Sequence, residues 1–360
     1  MGGASQGREL SIISNRNQYI DTIKGITIIL MVLGHCIQYG SGGDYYLNAQ
    51  YFENPLFKII YSFHMPLFML VSGYLFYYTM KKYSAKEVMK SRLTKVILPL
   101  FIWTTLIEVG LLTVKLIIGS VPSLSSLLII LVKQYLYSLW FLWAIFWCSV
   151  VVVVVERTLK GSIMAYVGIC IISLLIPDNF NAHLYKYMFP YFIISYLWNS
   201  ENLWDRIQMI AQRKRTVAVY IIILIFVGLL LLYKRDSYVY TTGITIWGKN
   251  IERQLLIDMY RWIIGLAGSA SIFIVVMKLL SWLKFEKMWE YIAKIGQKSL
   301  GIYIFSGYLF AYVVPRITKS LELNYLFTLA ETVVILAVSF FVTVLIEKFS
   351  ITRKLFLGGR

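Results

Sequence analysis

Ten apolar stretches punctuate this chain, at about 20–38, 56–79, 96–118, 139–155, 162–177, 184–199, 216–233, 258–281, 298–314 and 325–347. A helix needs roughly 17–25 such residues to cross a bilayer. The fifth and sixth are the shortest. The gaps between stretches reach only about two dozen residues, too few for a soluble domain. The reading is therefore an all-α integral membrane protein with about ten transmembrane helices in one bundle. Residues 19–348 form the membrane domain, 1–18 an N-terminal cytoplasmic segment and 349–360 a cytoplasmic tail.

Composition agrees. Hydrophobic residues make up 59% of the chain and charged residues only 15%, where soluble domains are nearer a quarter charged. The 27 Tyr, 21 Phe and 10 Trp suit interfacial belts and aromatic-lined cavities. A net charge of +17 does not indicate nucleic acid, because the basic residues fall in short loops where membrane insertion explains them. Loop 80–95 carries Lys81, Lys82, Lys86, Lys90, Arg92 and Lys95 against Glu87; loop 200–215 carries Arg206, Arg213, Lys214 and Arg215; the tail holds Lys348, Arg353 and Lys354. Loop 39–55 has Asp44 and Glu53 with no lysine, 119–138 has Lys133, and 178–183 has no basic residue. Positive loops stay in the cytoplasm, so both termini are expected inside, as an even span count requires. Segment 234–257 departs from the trend with Lys234, Arg235, Lys249 and Arg253. It is either a contact for an acceptor or an ordinary solvated loop. Cys36, Cys148 and Cys170 lie in apolar stretches without paired spacing and read as small core residues. The polar N-terminus leads into a span without a small-residue cleavage site, unlike a signal peptide.

Ionisable residues at membrane depth are candidates for function. The first span holds Asp21, Lys24 and His35. At 1.5 Å per residue His35 lies about 16 Å deeper along the helix than Lys24. One basic group thus sits near a membrane surface and one imidazole inside the hydrocarbon zone. His64 sits about eight residues into the oppositely directed second span, at a broadly similar depth, and Pro66 beside it removes a helical hydrogen bond. Either histidine could instead bridge two helices by hydrogen bonds. Glu108, in the third span about 18 Å from its start, is placed to orient an imidazole or to serve as a protonated carboxyl bonded to a neighbouring helix.

At the inner surface, Arg92 and Lys95 precede the third span and join Lys24 in a basic cluster. It can seat phosphates, although topology alone also predicts basic residues there. Arg261 in the eighth span is a further candidate for the bound nucleotide, with pairing to Asp258 three residues earlier as the plainer account. Trp140 opens the fourth span in Leu139-Trp140-Phe141-Leu142-Trp143, as an interfacial anchor or as one wall of a ligand site. No metal-ligand spacing, glycine-rich nucleotide loop or G-x-S-x-G elbow is present in the sequence.

These residues resemble the membrane acyltransferase-3 family, ten-helix enzymes that use acyl-CoA to modify cell-surface glycans. The likeness extends along essentially the whole chain by span count. It is sharpest in the basic-x10-His spacing of Lys24 and His35, preceded by Asp21. It is equally sharp in Phe63-His64-Met65-Pro66-Leu67-Phe68 with Ser72-Gly73-Tyr74. Gly296-Gln297-Lys298-Ser299-Leu300-Gly301-Ile302-Tyr303 resembles a late family segment more weakly. Four departures stand out. Lysine stands at 24 where many members have arginine. Ser306 occupies a late position that is often histidine. No glutamate follows Leu139-Trp140-Phe141-Leu142, and no hydrolase-like second domain is fused.

The resemblance implies a multi-pass protein of the bacterial cytoplasmic membrane. Its co-substrate would be acyl-CoA, acetyl-CoA first and succinyl as the main alternative, with no metal. Its acceptor would be a glycan, a lipid-linked saccharide or a small sugar-like molecule. His35 would be general base, with His64 or Glu108 assisting. Lys24, Arg92, Lys95, Trp140 and Arg261 would serve the CoA. The rival reading is a transporter or exporter of glycan or acyl groups, which usually shows internal repeats; none is evident in the sequence. A structural or sensory role leaves two imidazoles at matching depth unexplained. The bilayer is the one certain partner, and an oligomer is open.

Overall fold

The structure, a computed structural model, describes residues 3–119, 123–200, 220–282 and 286–359, the side chains of 3–17, 200, 281 and 282 apart. The basic loop residues Arg206, Arg213, Lys214 and Arg215 lie outside the described residues. The helices run in the order α1 (Gly3–Tyr39), α2 (Gly43–Leu47), α3 (Pro55–Lys82), α4 (Ala85–Arg92), α5 (Leu98–Ile117), α6 (Leu124–Tyr137), α7 (Trp140–Thr158), α8 (Ile163–Ser173) and α9 (Ala182–Ser200). After them come α10 (Tyr220–Leu231), α11 (Val239–Thr242), α12 (Ile251–Trp282), α13 (Glu286–Gln297), α14 (Ser299–Tyr312), α15 (Val314–Ile317), α16 (Tyr325–Glu347) and α17 (Ser350–Leu357).

The all-α membrane class holds, while the span count is only partly matched. Seven helices among the described residues are long and apolar enough to cross a bilayer: Gln18–Tyr39, Pro55–Lys82, Ala85–Ile117, Trp140–Thr158, Ile251–Leu280, Ser299–Ile317 and Tyr325–Glu347. The other three expected spans are weaker. Ile163–Ser173 has 11 residues, and Tyr220–Leu231 is likewise a short apolar helix. Ala182–Ser200 reaches 19 residues but mixes in His183, Lys186 and four tyrosines. Two elements were not expected. The presumed loop 119–138 contains the 14-residue apolar helix α6. The 282–297 connection contains the amphipathic α13, whose Trp289, Ala293 and Gly296 are buried at a spacing of four and three.

The chain divides into two compact units. The first comprises residues 1–71, 203–235 and 261–343. Its central post is α1, which lies along α13 and then α14. Glycine permits the first contact. A Cβ on Gly25 would strike the carbonyl of Ile292, and one on Gly296 would strike the carbonyl of Asp21 and the amide of Gly25. The two backbones therefore touch directly, as small residues allow in membrane helix pairs. Beyond this contact Ile28, Met31, Val32 and Cys36 of α1 pack with Ile302 and Phe310 of α14 and Ile335 of α16 in a buried apolar cluster.

The second unit comprises residues 72–202, 236–260 and 344–360. Between α4 and α5 the chain makes one π-helical turn, Leu93–Ile97, a rare wide turn that is often found at functional sites. The amphipathic α17 closes on it. Trp103 Nε1 donates to the Phe356 carbonyl at 3.0 Å, and Gly358 lies against the backbone of Thr94 and Lys95 with no room for a Cβ. Segment 236–257 is folded rather than a free loop. Asp178 accepts the amides of Ile244 and Thr245 at 2.9 and 3.0 Å and pairs with Lys186 at 2.6 Å.

Candidate active site

His35 lies on α1 one turn before its end. Its Nδ1 is 2.9 Å from the Met31 carbonyl. A carbonyl can only accept, so the proton must sit on Nδ1. Nε2 then keeps a basic lone pair, and no described residue bonds to it. The ring is half-buried within a wall of aromatics. Phe310 is 5.2 Å away, and Tyr39 and Tyr61 are each 5.9 Å away, between ring centroids.

His64 repeats the arrangement on α3. Its Nδ1 is 2.8 Å from the Ile60 carbonyl, so it too carries a proton on Nδ1 and a lone pair on Nε2. It is 2% exposed, against the partial exposure of His35, so of the two His35 is the more accessible base. The two imidazoles share a neighbour. The Tyr61 ring stands 5.9 Å from His35 and 4.8 Å from His64. Its hydroxyl donates to Gln38 Oε1 at 2.9 Å and is 3.4 Å from His35 Nδ1, where it accepts a second, weaker share of that proton. Tyr61 and Gln38 are the residues that spacing rules alone pass over. Each lies three positions from a histidine on its own helix, and hence on the same face.

A third unanticipated group adjoins the end of α1. Glu331 of α16 lies against Gly40, where any Cβ would overlap its carboxylate, and bonds the Cys36 thiol. Its Oε2 is buried without a hydrogen-bond partner among the described residues. Like Glu108 it is a carboxylate inside an apolar run, the feature that marks candidates at membrane depth.

The expected nucleotide residues fall into two sets. Lys24 is bound to Asp21 at 2.8 Å, and Asp21 also accepts from Gln297 Nε2 of α13 at 3.1 Å. Both partners are about four-fifths buried, at 21% and 19% side-chain exposure. Lys24 is therefore not an uncommitted cation. Arg261, also in the first unit, is 1% exposed. Asp258, one turn earlier on α12, accepts from Gln254 at 3.0 and 3.1 Å.

Arg92, Lys95, Trp140 and Glu108 belong to the second unit. Arg92 lies over the Phe76 ring at 4.5 Å, which fixes a guanidinium by cation–π attraction. Lys95 is exposed on the π turn. Trp140 is half-buried at the start of α7, directly after Leu139, which holds the left-handed conformation at φ 46°. Glu108 is half-buried on α5. His35 hydrogen-bonds the Met31 carbonyl and the Tyr61 hydroxyl, and His64 the Ile60 carbonyl.

With this geometry in view, residues 17–348 match the acyltransferase-3 family, described as an acyltransferase domain. The chain belongs to that family. It is a membrane acyltransferase. Two curated relatives are similar to it, both nodulation proteins NolL. That of Mesorhizobium japonicum is 27% identical over 306 residues, 82% of this chain and 77% of the relative. That of Sinorhizobium fredii is 26% identical over 307 residues, 82% and 79%. No solved structure matches the chain.

Proposed function

We propose that this acyltransferase moves an acyl group, acetyl first, from cytoplasmic acyl-CoA to a hydroxyl of an extracytoplasmic glycan or lipid-linked saccharide. The observation that carries the reading is the state of His35: a half-buried imidazole whose Nδ1 proton is committed to Met31 and whose Nε2 is basic. His35 Nε2 takes the proton of the acceptor hydroxyl as its oxygen attacks the thioester carbonyl. The C–S bond then breaks, the ester forms, and the same proton passes from Nε2 to the departing CoA sulfur. No metal enters this scheme. Tyr61 holds the imidazole and links it to His64.

Lys24, eleven residues before His35 on α1, and separately Arg92 and Lys95 at the π turn are each of a kind that suits CoA phosphates. Lys95 is exposed and Arg92 is stacked, while Lys24 has to share itself between a phosphate and Asp21. Trp140 and Arg261 serve as further CoA contacts, and Glu108 as a compensating carboxylate. This arrangement goes with both termini in the cytoplasm and residence in a bacterial cytoplasmic membrane.

Acyl transfer by the purified protein in lipid nanodiscs, with radiolabelled acetyl-CoA and a membrane glycan fraction, tests the assignment. Removal of a general base costs about 10²–10⁴ in rate. His35→Ala should show that loss in kcat while inserting and unfolding as the wild type does. Undiminished transfer by a folded His35→Ala protein would exclude His35 as the base.

A further inference from the structure

Six rings, that of His35 among them, close on one another. From His35 the path runs to Tyr39 at 5.9 Å, Tyr46 at 5.2 Å, Tyr51 at 6.1 Å, Phe57 at 5.2 Å, Tyr61 at 3.8 Å and back to His35 at 5.9 Å, between centroids. All six belong to the first unit, on the end of α1, the short α2, the 50–53 turn and the start of α3. Gln38 is tied into the circuit twice, by the Tyr61 hydroxyl at 2.9 Å and by the Tyr51 hydroxyl. Exposure is graded around it. Phe57 is buried at 1%, His35, Tyr39, Tyr51 and Tyr61 are intermediate, and Tyr46 is 38% exposed.

Interfacial tyrosines commonly serve as anchors with their rings turned to lipid. These face one another and the imidazole instead. The lining is of a particular kind: electron-rich ring faces, phenolic hydroxyls and one carboxamide, with the Arg235 guanidinium turned onto the neighbouring Phe52 ring at 5.1 Å. It suits a neutral, polyhydroxylated molecule with an apolar C–H face. The weakly positive axial C–H groups of a pyranose lie well on the negative face of a π system, while its hydroxyls need donors and acceptors at the edge.

We infer that this circuit is the acceptor site, and that it takes a pyranose ring against Tyr46 and Tyr51 with a hydroxyl directed past Gln38 to His35 Nε2. The inference rests on His35 being the base, since that is what fixes the hydroxyl's destination. Tyr46 and Tyr51 act as binding residues and Gln38 as a positioning residue.

Saturation-transfer difference NMR tests it without chemistry. The full chain carrying His35→Ala, in nanodiscs, is irradiated at aromatic protons in the presence of methyl glucopyranoside or methyl galactopyranoside, with acyclic sorbitol as comparator. The expected result is transfer to ring C–H protons of a pyranoside and none to sorbitol. Each of Tyr46→Ala and Tyr51→Ala should weaken pyranoside affinity about two- to tenfold, the range of one aromatic contact. Tyr46→Phe, which keeps the ring, should retain most of the signal, and that separates stacking from loss of fold. Equal transfer to sorbitol, no transfer to either pyranoside, or unchanged affinity in both alanine variants would overturn the inference. The readout is independent of acyl transfer. Pyranoside binding that depends on the rings therefore supports a pyranose site here even if the catalytic assay removes His35 from its role, in which case only the hydroxyl's destination falls.

Discussion

Asp21 and Lys24 stand one helical turn apart and hold each other at 2.8 Å, so a phosphate that reaches Lys24 competes with a carboxylate already in place. This gives two substitutions opposite signs. Lys24→Ala should raise the KM for acyl-CoA by roughly ten- to a hundredfold, the worth of one charge-assisted hydrogen bond at about 1.5–3 kcal/mol. Asp21→Asn keeps an acceptor for Gln297 but releases the ammonium, and should lower that KM. Steady-state kinetics with varied acyl-CoA checks both; equal KM in the two variants would take Lys24 out of the phosphate site. The histidines themselves were legible in the sequence, because an imidazole in an apolar run is costly and stands out. Their protonation was not. It depends on χ angles that bring Nδ1 to the carbonyl of the preceding turn, which spacing does not encode. Tyr61 and Gln38 were hidden for a related reason: among 27 tyrosines, only packing shows which one lies between two imidazoles. Glu331 carried the same signal as Glu108, and only the missing side chain at Gly40 shows what it adjoins.

Among the elements, the long strongly apolar helices matched their expected spans to within a few residues, except at the starts of the third and eighth, where the helices extend back to Ala85 and Ile251. The mixed and short ones did not. Helix α13 is polar on one side and buries Trp289, Ala293 and Gly296 on the other, so a search for continuous hydrophobicity passes it by. The π turn at Leu93–Ile97 has no marker in the sequence, since it is stabilised by what packs on it, including Gly358.

Segment 236–257 shows how one residue organises an element. Burial alone would raise the pKa of Asp178. The bond from Lys186 and those from the Thr245 and Ile244 amides outweigh that and hold it below the usual carboxylate value. A depressed pKa contributes stability that is fully present above the unfolded value, about 3.9, and is lost as pH falls through the folded one. Hydrogen-exchange protection at Ile244 and Thr245 should therefore persist from pH 7 to about 4 and fall below it. Asp178→Asn should reduce that protection already at pH 7 by about 1–3 kcal/mol, with Lys186 left without its counter-charge. Protection of these amides equal to wild type would contradict the account.

At the scale of the whole molecule, the distribution of basic loops is the strongest guide to orientation. By that guide the 80–95 segment is expected in the cytoplasm and 234–257 on the opposite side. Single cysteines replacing Lys86 or Lys249, in a chain whose Cys36, Cys148 and Cys170 are changed to alanine, make this measurable in intact cells. A membrane-impermeant maleimide should label Lys249→Cys directly and Lys86→Cys only after permeabilisation. The reverse pattern would invert the protein and with it the side from which each substrate arrives. Family membership rests on 17–348 as a whole, whereas the direction of transfer rests on these few charges.

The direct backbone contact at Gly25 and Gly296 carries one more consequence. Turning α1 by a single residue about its axis would drive the side chain of Lys24 or Ile26 into a space that admits only a hydrogen. The helix that bears His35 is thus keyed to α13 like a shaft in its slot. Helices α1 and α13 should therefore shift only as one piece, and with His35 as the proposed base, donor and acceptor would travel to it rather than be met by a swinging imidazole.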